Sequence, residues 1–164
     1  IRDFCLSRGL GDVYKRQGII MSAIKNIKKG IVTNISAISS INKVYDYEKI
    51  NPTGFPCAFI TFLGTDNAFY STAENKRIYS YRILLLAQIG QDLSNTNQVE
   101  LAEQTIEDCL GDVLDTMDSD ITLDNNTQVI FVEAAIGTPG YVEYEGGMAR
   151  SGEIIIKVHS LYLV

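Results

Sequence analysis

Between two long stretches of strand character lies a strongly acidic amphipathic helix, and that juxtaposition limits the chain to a mixed fold in which a helix lies on a sheet. Over Asn97–Met117, the residues Val99, Ala102, Ile106, Cys109, Leu110, Val113, Leu114 and Met117 recur mainly at spacings of three and four. That spacing gathers them on one stripe of a helix. Glu100, Glu103, Glu107, Asp108, Asp112 and Asp115 fall on the opposite side. Asn97 is the expected N-cap, with Glu100 three residues on in a box-like arrangement. The flanking strands are expected over Lys76–Ile89 and Arg150–Val164.

The first of these strands alternates. Tyr79, Tyr81, Ile83, Leu85 and Ala87 share one face, apolar throughout. Ile78, Ser80, Arg82, Leu84 and Leu86 share the other, polar at first and apolar later. A strand with that pattern is covered on one side along its length and on both sides only at its far end. Upstream, Ile24, Ile27, Ile31, Ile35 and Ile38 predict a second amphipathic helix over Ser22–Ser39, opposed by Lys25, Lys28 and Lys29. Gly30 weakens its middle by about 1 kcal/mol relative to Ala, so packing must support it.

The remaining elements are shorter. Lys43–Tyr47 and Cys57–Leu63 read as strands on either side of a turn segment, Asn51–Pro56, whose two prolines remove backbone donors. Gly64–Asn67 reads as a tight turn and Ala68–Thr72 as a short strand returning toward Lys76. Gln128–Ala135 reads as a strand, Gly137–Gly140 as a hairpin turn, Tyr141–Tyr144 as a short strand and Glu145–Gly147 as a flexible tip. The expected class is α+β: a mostly antiparallel twisted sheet packed by two amphipathic helices, with a protruding hairpin.

The opening stretch departs from this pattern. Ile1–Gln17 has neither periodicity nor the apolar region of a secretory signal. Its Leu10–Gln17 portion resembles translated sequencing adapter. The expected natural start is Met21, which makes residues 1–20 a disordered, non-native leader and 21–164 a single domain. The leader holds Arg2, Arg8, Lys15 and Arg16 against Asp3 and Asp12, so the rest is more acidic than the net charge of −6 for all 164 residues. Such acidity opposes binding driven by phosphate neutralisation, although an acidic channel lets a polyanion pass without sticking. No apolar run approaches the ~20 residues that span a bilayer, and no membrane partner is expected. Cys57 and Cys109 fall at core positions and read as reduced packing residues rather than a disulfide or a metal pair; Cys5 lies in the leader.

Catalytic signatures are missing. The chain contains no phosphate-binding loop, no nucleophile elbow, no HExxH and no CxxC. His159 is the single histidine and reads as a surface or packed strand residue. Asp112, Asp115, Asp118 and Asp120 form the one carboxylate cluster dense enough for a hard cation, but a solvated acidic face explains them better. Neither an enzymatic activity nor a cofactor is expected. In contrast, Tyr141, Tyr144, Met148 and Arg150 around the glycine-rich hairpin are residue types enriched at interfaces.

The succession of elements resembles the tail terminator (tail completion) proteins of long-tailed, siphovirus-type bacteriophages. The resemblance spans Met21–Val164 and rests on layout and short patterns. These are the N-terminal helix, the Pro-bearing Asn51–Pro56 before Ala58–Phe62, the basic-then-tyrosine entry Lys76–Ile83, the acidic helix Glu103–Met117, Val132–Ala135, and Ala149-Arg150 opening the last strand. It implies a structural virion protein at the neck end of the tail, made in the host cytoplasm, that forms a ring, commonly a hexamer. The ring caps the head-proximal end of the tail tube, ends tube polymerisation and forms the head–tail joining surface. Implied partners are further copies of the chain, the major tail tube protein, head–tail connector or neck proteins, and DNA passing through the lumen without specific binding. Arg77 and Arg150 become candidates for charge-assisted contacts across a subunit boundary, and Arg82 a further candidate for the subunit or tube interface. Tyr141, Tyr144 and Met148 become candidates for packing on the neighbour. The competing reading is an acidic binding module, of the immunity or inhibitor type, that masks a basic partner protein.

Overall fold

A computed structural model describes residues 23–69, 74–90, 96–123, 126 and 128–163. The leader expected over residues 1–20 lies outside the described residues. Two helices, α1 (23–36) and α2 (Thr96–Ser119), cover one face of a six-stranded sheet. The strands are β1 (Lys43–Tyr45), β2 (Cys57–Phe69), β3 (Glu74–Gly90), β4 (Val129–Ile136), β5 (Gly140–Tyr144) and β6 (Gly147–Leu163). Their spatial order is β1-β2-β3-β6-β4, with β5 also paired to β6. Only the β1–β2 pair is parallel. The α+β class and the mostly antiparallel sheet packed by two helices are as the sequence pattern implies.

The alternation along β3 is realised in the packing. Tyr79, Tyr81, Ile83, Leu85 and Ala87 are buried beneath the helices with Ile154, Ile156 and Val158 of β6. On the other face, Leu86 joins Tyr45, Cys57, Phe59 and Ala149 in a smaller cluster, against which Leu84, Phe55, Val142 and Tyr144 pack. The strand is therefore covered on both sides only where its second face turns apolar. The buried stripes of the helices are equally regular: Ala23, Ile27, Ile31 and Ile35 on α1, and Ala102, Ile106, Cys109, Val113 and Met117 on α2. The Tyr81 hydroxyl donates to the Ile24 carbonyl at 2.8 Å, tying α1 to the sheet. Ser40 donates to Asp112 at 2.5 Å and Asn34 to Asp120 at 2.8 Å, tying α1 and the turn after it to α2 and its end.

Gly30 has a packing reason. A Cβ at that position would stand 3.2 Å from the Leu123 Cβ, so the missing side chain lets the segment after α2 close over α1. Burial of Leu123 offsets the low helix propensity at Gly30.

Several boundaries differ from those the sequence suggests. Helix α1 ends at residue 36 and its apolar stripe continues as turns through Ile38 and Ile41, both buried. Helix α2 begins at Thr96, which places Asn97 inside the first turn rather than at the cap. Strand β1 is shorter than Lys43–Tyr47.

Two corrections are larger. Gly64–Asn67 is no turn: β2 runs unbroken to Phe69, and the part of Ala68–Thr72 that is described belongs to the same strand. The irregularity that Gly64 suggests is a bulge between Phe62 and Gly64, absorbed while pairing with β3 continues from Cys57 to Phe69. Gly137–Gly140 is no hairpin either. Strands β4 and β5 run in the same direction along the same side of β6, so the chain does not reverse between them. Pro139 has no N–H to give the ladder and interrupts it. Gly137 still donates to the Glu153 carbonyl at 2.7 Å. The true reversal is the two-residue turn Glu145–Gly146, closed by the Tyr144–Gly147 pair.

Candidate interaction surface

The candidate residues separate into an internal clamp and an open sheet face. The clamp is built around Arg150, near the start of β6. Its guanidinium forms a bidentate pair with the Glu103 carboxylate of α2, with the Nη2–Oε1 bond at 2.9 Å. It also donates to the Gly140 carbonyl at 3.0 Å and lies 4.7 Å from the Tyr141 ring centre. One side chain thus joins α2, β5 and β6. The Glu103 carboxyl is held below the usual carboxylate range, first because Arg150 hydrogen-bonds to its charged form. The Arg150 guanidinium is held correspondingly upward by the same bonds. Sequence spacing places Glu103 on the outer face of α2 but contains no signal for this pairing, which spans 47 residues of chain.

The clamp carries a pH-dependent prediction. Glu103 is depressed in the folded state, so its contribution is present above the unfolded carboxylate pKa and disappears as pH falls through the folded value. Arg150→Met is expected to cost about 1–2 kcal/mol at neutral pH, since the pair is half-exposed on the glutamate side. The difference from the unaltered protein should narrow as pH falls below ~4. Chemical denaturation of both proteins between neutral and acid pH measures it; a pH-independent difference would show that packing of the arginine stem, not the ion pair, is responsible.

Arg77 and Arg82 lie elsewhere. Arg77 donates from Nε to the Asn67 side chain at 2.8 Å, joining β3 to β2. Arg82 projects from the open face and pairs with Glu48, with Glu153 at 3.9 Å on its other side. Tyr144 packs on Phe55 with ring centres 5.1 Å apart, in the small second cluster. Tyr141 is more than half exposed, whereas Met148 is half-buried. The structure therefore brings together Arg150 and Tyr141, while Arg77 and Arg82 occupy separate positions along β3.

The open face also holds the single histidine. Its ring stacks on Phe131 at 4.0 Å between centres, with planes 12° apart. The Lys76 ammonium stands 5.3 Å from the same phenyl ring. Glu133 Oε2 approaches His159 Nε2 at 3.4 Å, and neither imidazole nitrogen has a hydrogen-bonded partner among the described residues. His159 is a packed residue of the open face. At the other end of that face, a groove of about 350 Å³ runs between the 46–52 segment and β5, floored by Phe59, Leu84 and Leu86 and walled by Ile50, Val142 and Tyr144.

No group of three or more metal-ligating side chains occurs among the described residues. Asp112 and Asp115 line a shallow depression with Asn34 and Ser39 between the two helices. Cys57 and Cys109 are free and buried. Burial pushes the Cys57 thiol up to about 11 and raises that of Cys109, which leaves both poor nucleophiles. No helix among the described residues is long and apolar enough to cross a membrane.

What remains conspicuous is the periphery of the sheet. Leu63 on β2, Ile130 and Ile136 on β4, and Tyr141 on β5 are large apolar side chains exposed along the outer strands; Tyr47 and Ile50 after β1, Leu101 on α2 and Ile121 after it are exposed as well. Compared with known proteins, the chain matches no family model and no curated sequence.

Proposed function

We propose that this protein is a ring-forming structural component of a long-tailed bacteriophage virion, acting at the head-proximal end of the tail tube. In this reading copies of the chain, commonly six, close into a ring that ends tube polymerisation and offers the neck proteins a joining surface. DNA passes through the lumen without being bound specifically. The observation that carries the reading is the element order, in which an N-terminal helix, a Pro-bearing loop, long paired strands, an acidic helix and a terminal hairpin follow one another as in tail terminators. Its second support is the exposure of apolar side chains along the outer strands, where one subunit would meet another. Because the work is done by shape, it requires rigid paired strands such as β3 and β6, each 17 residues long, and no reacting group.

The exposed acids of α2 favour a second reading, a module that masks a basic partner. Native mass measurement separates the two. A closed ring, formed alone or on addition of tail tube protein, together with arrest of tube elongation, is the expected result. A chain that stays monomeric in the presence of tube protein and leaves tube length unchanged would overturn the assembly reading and favour the masking one.

A further inference from the structure

The sheet has two unpaired edges, and they match. Strand β1 covers β2 only from Cys57 to Phe59, so from Ile60 onward the outer side of β2 has no strand partner among the described residues. At the far side of the sheet, β4 is the last strand and its outer side is likewise unpaired among them. Neither stretch, Ile60–Asn67 nor Val129–Ile136, contains a lysine, arginine or proline; the edge-blocking features they do carry are one acid each, Asp66 and Glu133, and one bulge each.

The register places these two stretches at the same height. Ile60 stands level with Ile83, Ile154 and Ile136 across β2, β3, β6 and β4. Gly64 stands level with Ser80, Lys157 and Glu133, and Asn67 with Arg77, Ser160 and Val129. Each edge has one bulge, at Leu63 in β2 and at Ile130 in β4, so the rows remain aligned from end to end. The three pairings β2–β3, β3–β6 and β6–β4 are all antiparallel, so β2 and β4 run in opposite directions. A second copy moved sideways in the same orientation therefore presents its β4 antiparallel to this β2, with no shift along the strands.

We propose that a second copy of this chain adds its β4 to the free edge of β2, continuing one antiparallel sheet from subunit to subunit. The contact is heterologous; it closes into a ring when each copy is also rotated about an axis along the strands, and the absence of a step along them keeps such a rotation from climbing into a filament. The two helices differ in charge. Lys25, Lys28 and Lys29 of α1 line a groove with Val44 and Asp46 beside β1. The acids belong to α2, which packs over β3, β6 and β4; of these Glu103 is bound by Arg150, and Asp112 and Asp115 turn toward α1 of the same subunit. Head-to-tail addition sets the lysine-bearing helix of one copy on the side of the acidic helix of the next, whereas pairing like edges sets like helices together. Gly64 leaves open space where the Glu133 side chain of the neighbour would lie.

This inference rests on the ring-forming reading for closure, and the test separates the two. In the full chain with Cys5→Ser, the double variant Gly64→Cys with Glu133→Cys places thiols on facing strands about 5 Å apart between Cα atoms, within disulfide reach. Thr61→Cys with Ala135→Cys is a second in-register pair. Asp66→Cys with Ala135→Cys is out of register by about 13 Å and serves as the control. Mild oxidation should convert either in-register pair into a covalent ladder ending at the native ring size, while the control and the single variants stay unlinked. Ladders absent from both in-register pairs, or single variants that dimerise equally well, would overturn the edge pairing. If native mass still shows rings in that case, ring formation stands and the contact lies elsewhere; if only monomers remain with tube protein present, both readings fail.

Discussion

Replacing Tyr81 by Ala is expected to lower stability by about 3–5 kcal/mol, the largest loss anticipated for a single truncation in this protein. Tyr81 is fully buried at the centre of β3, beneath α1. Its ring meets Phe62 at 5.3 Å between centres, and its hydroxyl reaches the first described turn of α1. Truncation leaves a cavity between two layers that cannot both move toward it, because β3 is held on each side by a long antiparallel partner. Tyr81→Phe removes only the hydroxyl, and the Ile24 carbonyl keeps its place in the helical ladder, so that change should cost about 1 kcal/mol. Denaturant titration of both variants tests the argument. Equal losses would mean that the hydrogen bond, rather than the filled volume, holds α1 in place.

The second large effect is expected at Gly152, where α2 touches the sheet. A Cβ there would stand 2.8 Å from Ile106 Cγ2 and 3.2 Å from both Leu110 methyls. Ile106 Cγ2 is attached directly to a branched Cβ and cannot swing away as the tip of a long side chain would. Gly152→Val should therefore push α2 off β6 and cost about 2–3 kcal/mol by overpacking. The clash is local, so the double variant with Ile106→Ala should lose less than the sum of the single changes, with a coupling of about 1 kcal/mol or more. Additive losses would place the strain in the backbone of β6 instead.

Gly152 also illustrates what residue patterns carry and what they omit. In the sequence it is one glycine within a long strand, and spacing cannot reveal which residue of which helix will lie above it. Tyr81 is different: its place on the apolar face of β3 follows from alternation alone, as does the burial of Ile27, Ile31, Ile106 and Val113 from helical spacing. These are one-dimensional periodicities, and burial follows them because a half-covered strand or helix has a single way to hide its apolar side.

Turn signals were less reliable. Gly64-Thr65-Asp66-Asn67 has the composition of a turn, yet pairing with β3 along the whole of β2 outweighs it, and the irregularity survives as a bulge. Gly137-Thr138-Pro139-Gly140 has the composition of a hairpin turn but only interrupts the run of chain along β6. In both places a local preference on the order of 1 kcal/mol opposes a ladder of backbone hydrogen bonds whose partners lie far away in sequence. The candidate surface was partly legible for the same reason. Tyr141 and the acidic side of α2 could be named from pattern, whereas the attachment of Arg150 to Glu103 and the stacking of His159 on Phe131 could not.

The sequence by itself determined the class of the fold, the two helical stripes, the faces of the long strand and the buried state of both described cysteines, since each depends on spacing within one element. Only the tertiary structure decided which strands are neighbours, where β2 and β4 end up unpaired, and that their free edges lie level across the sheet. Those are properties of register, and register is set jointly by bulges, by Pro139 and by cross-strand packing between residues that are remote in the chain.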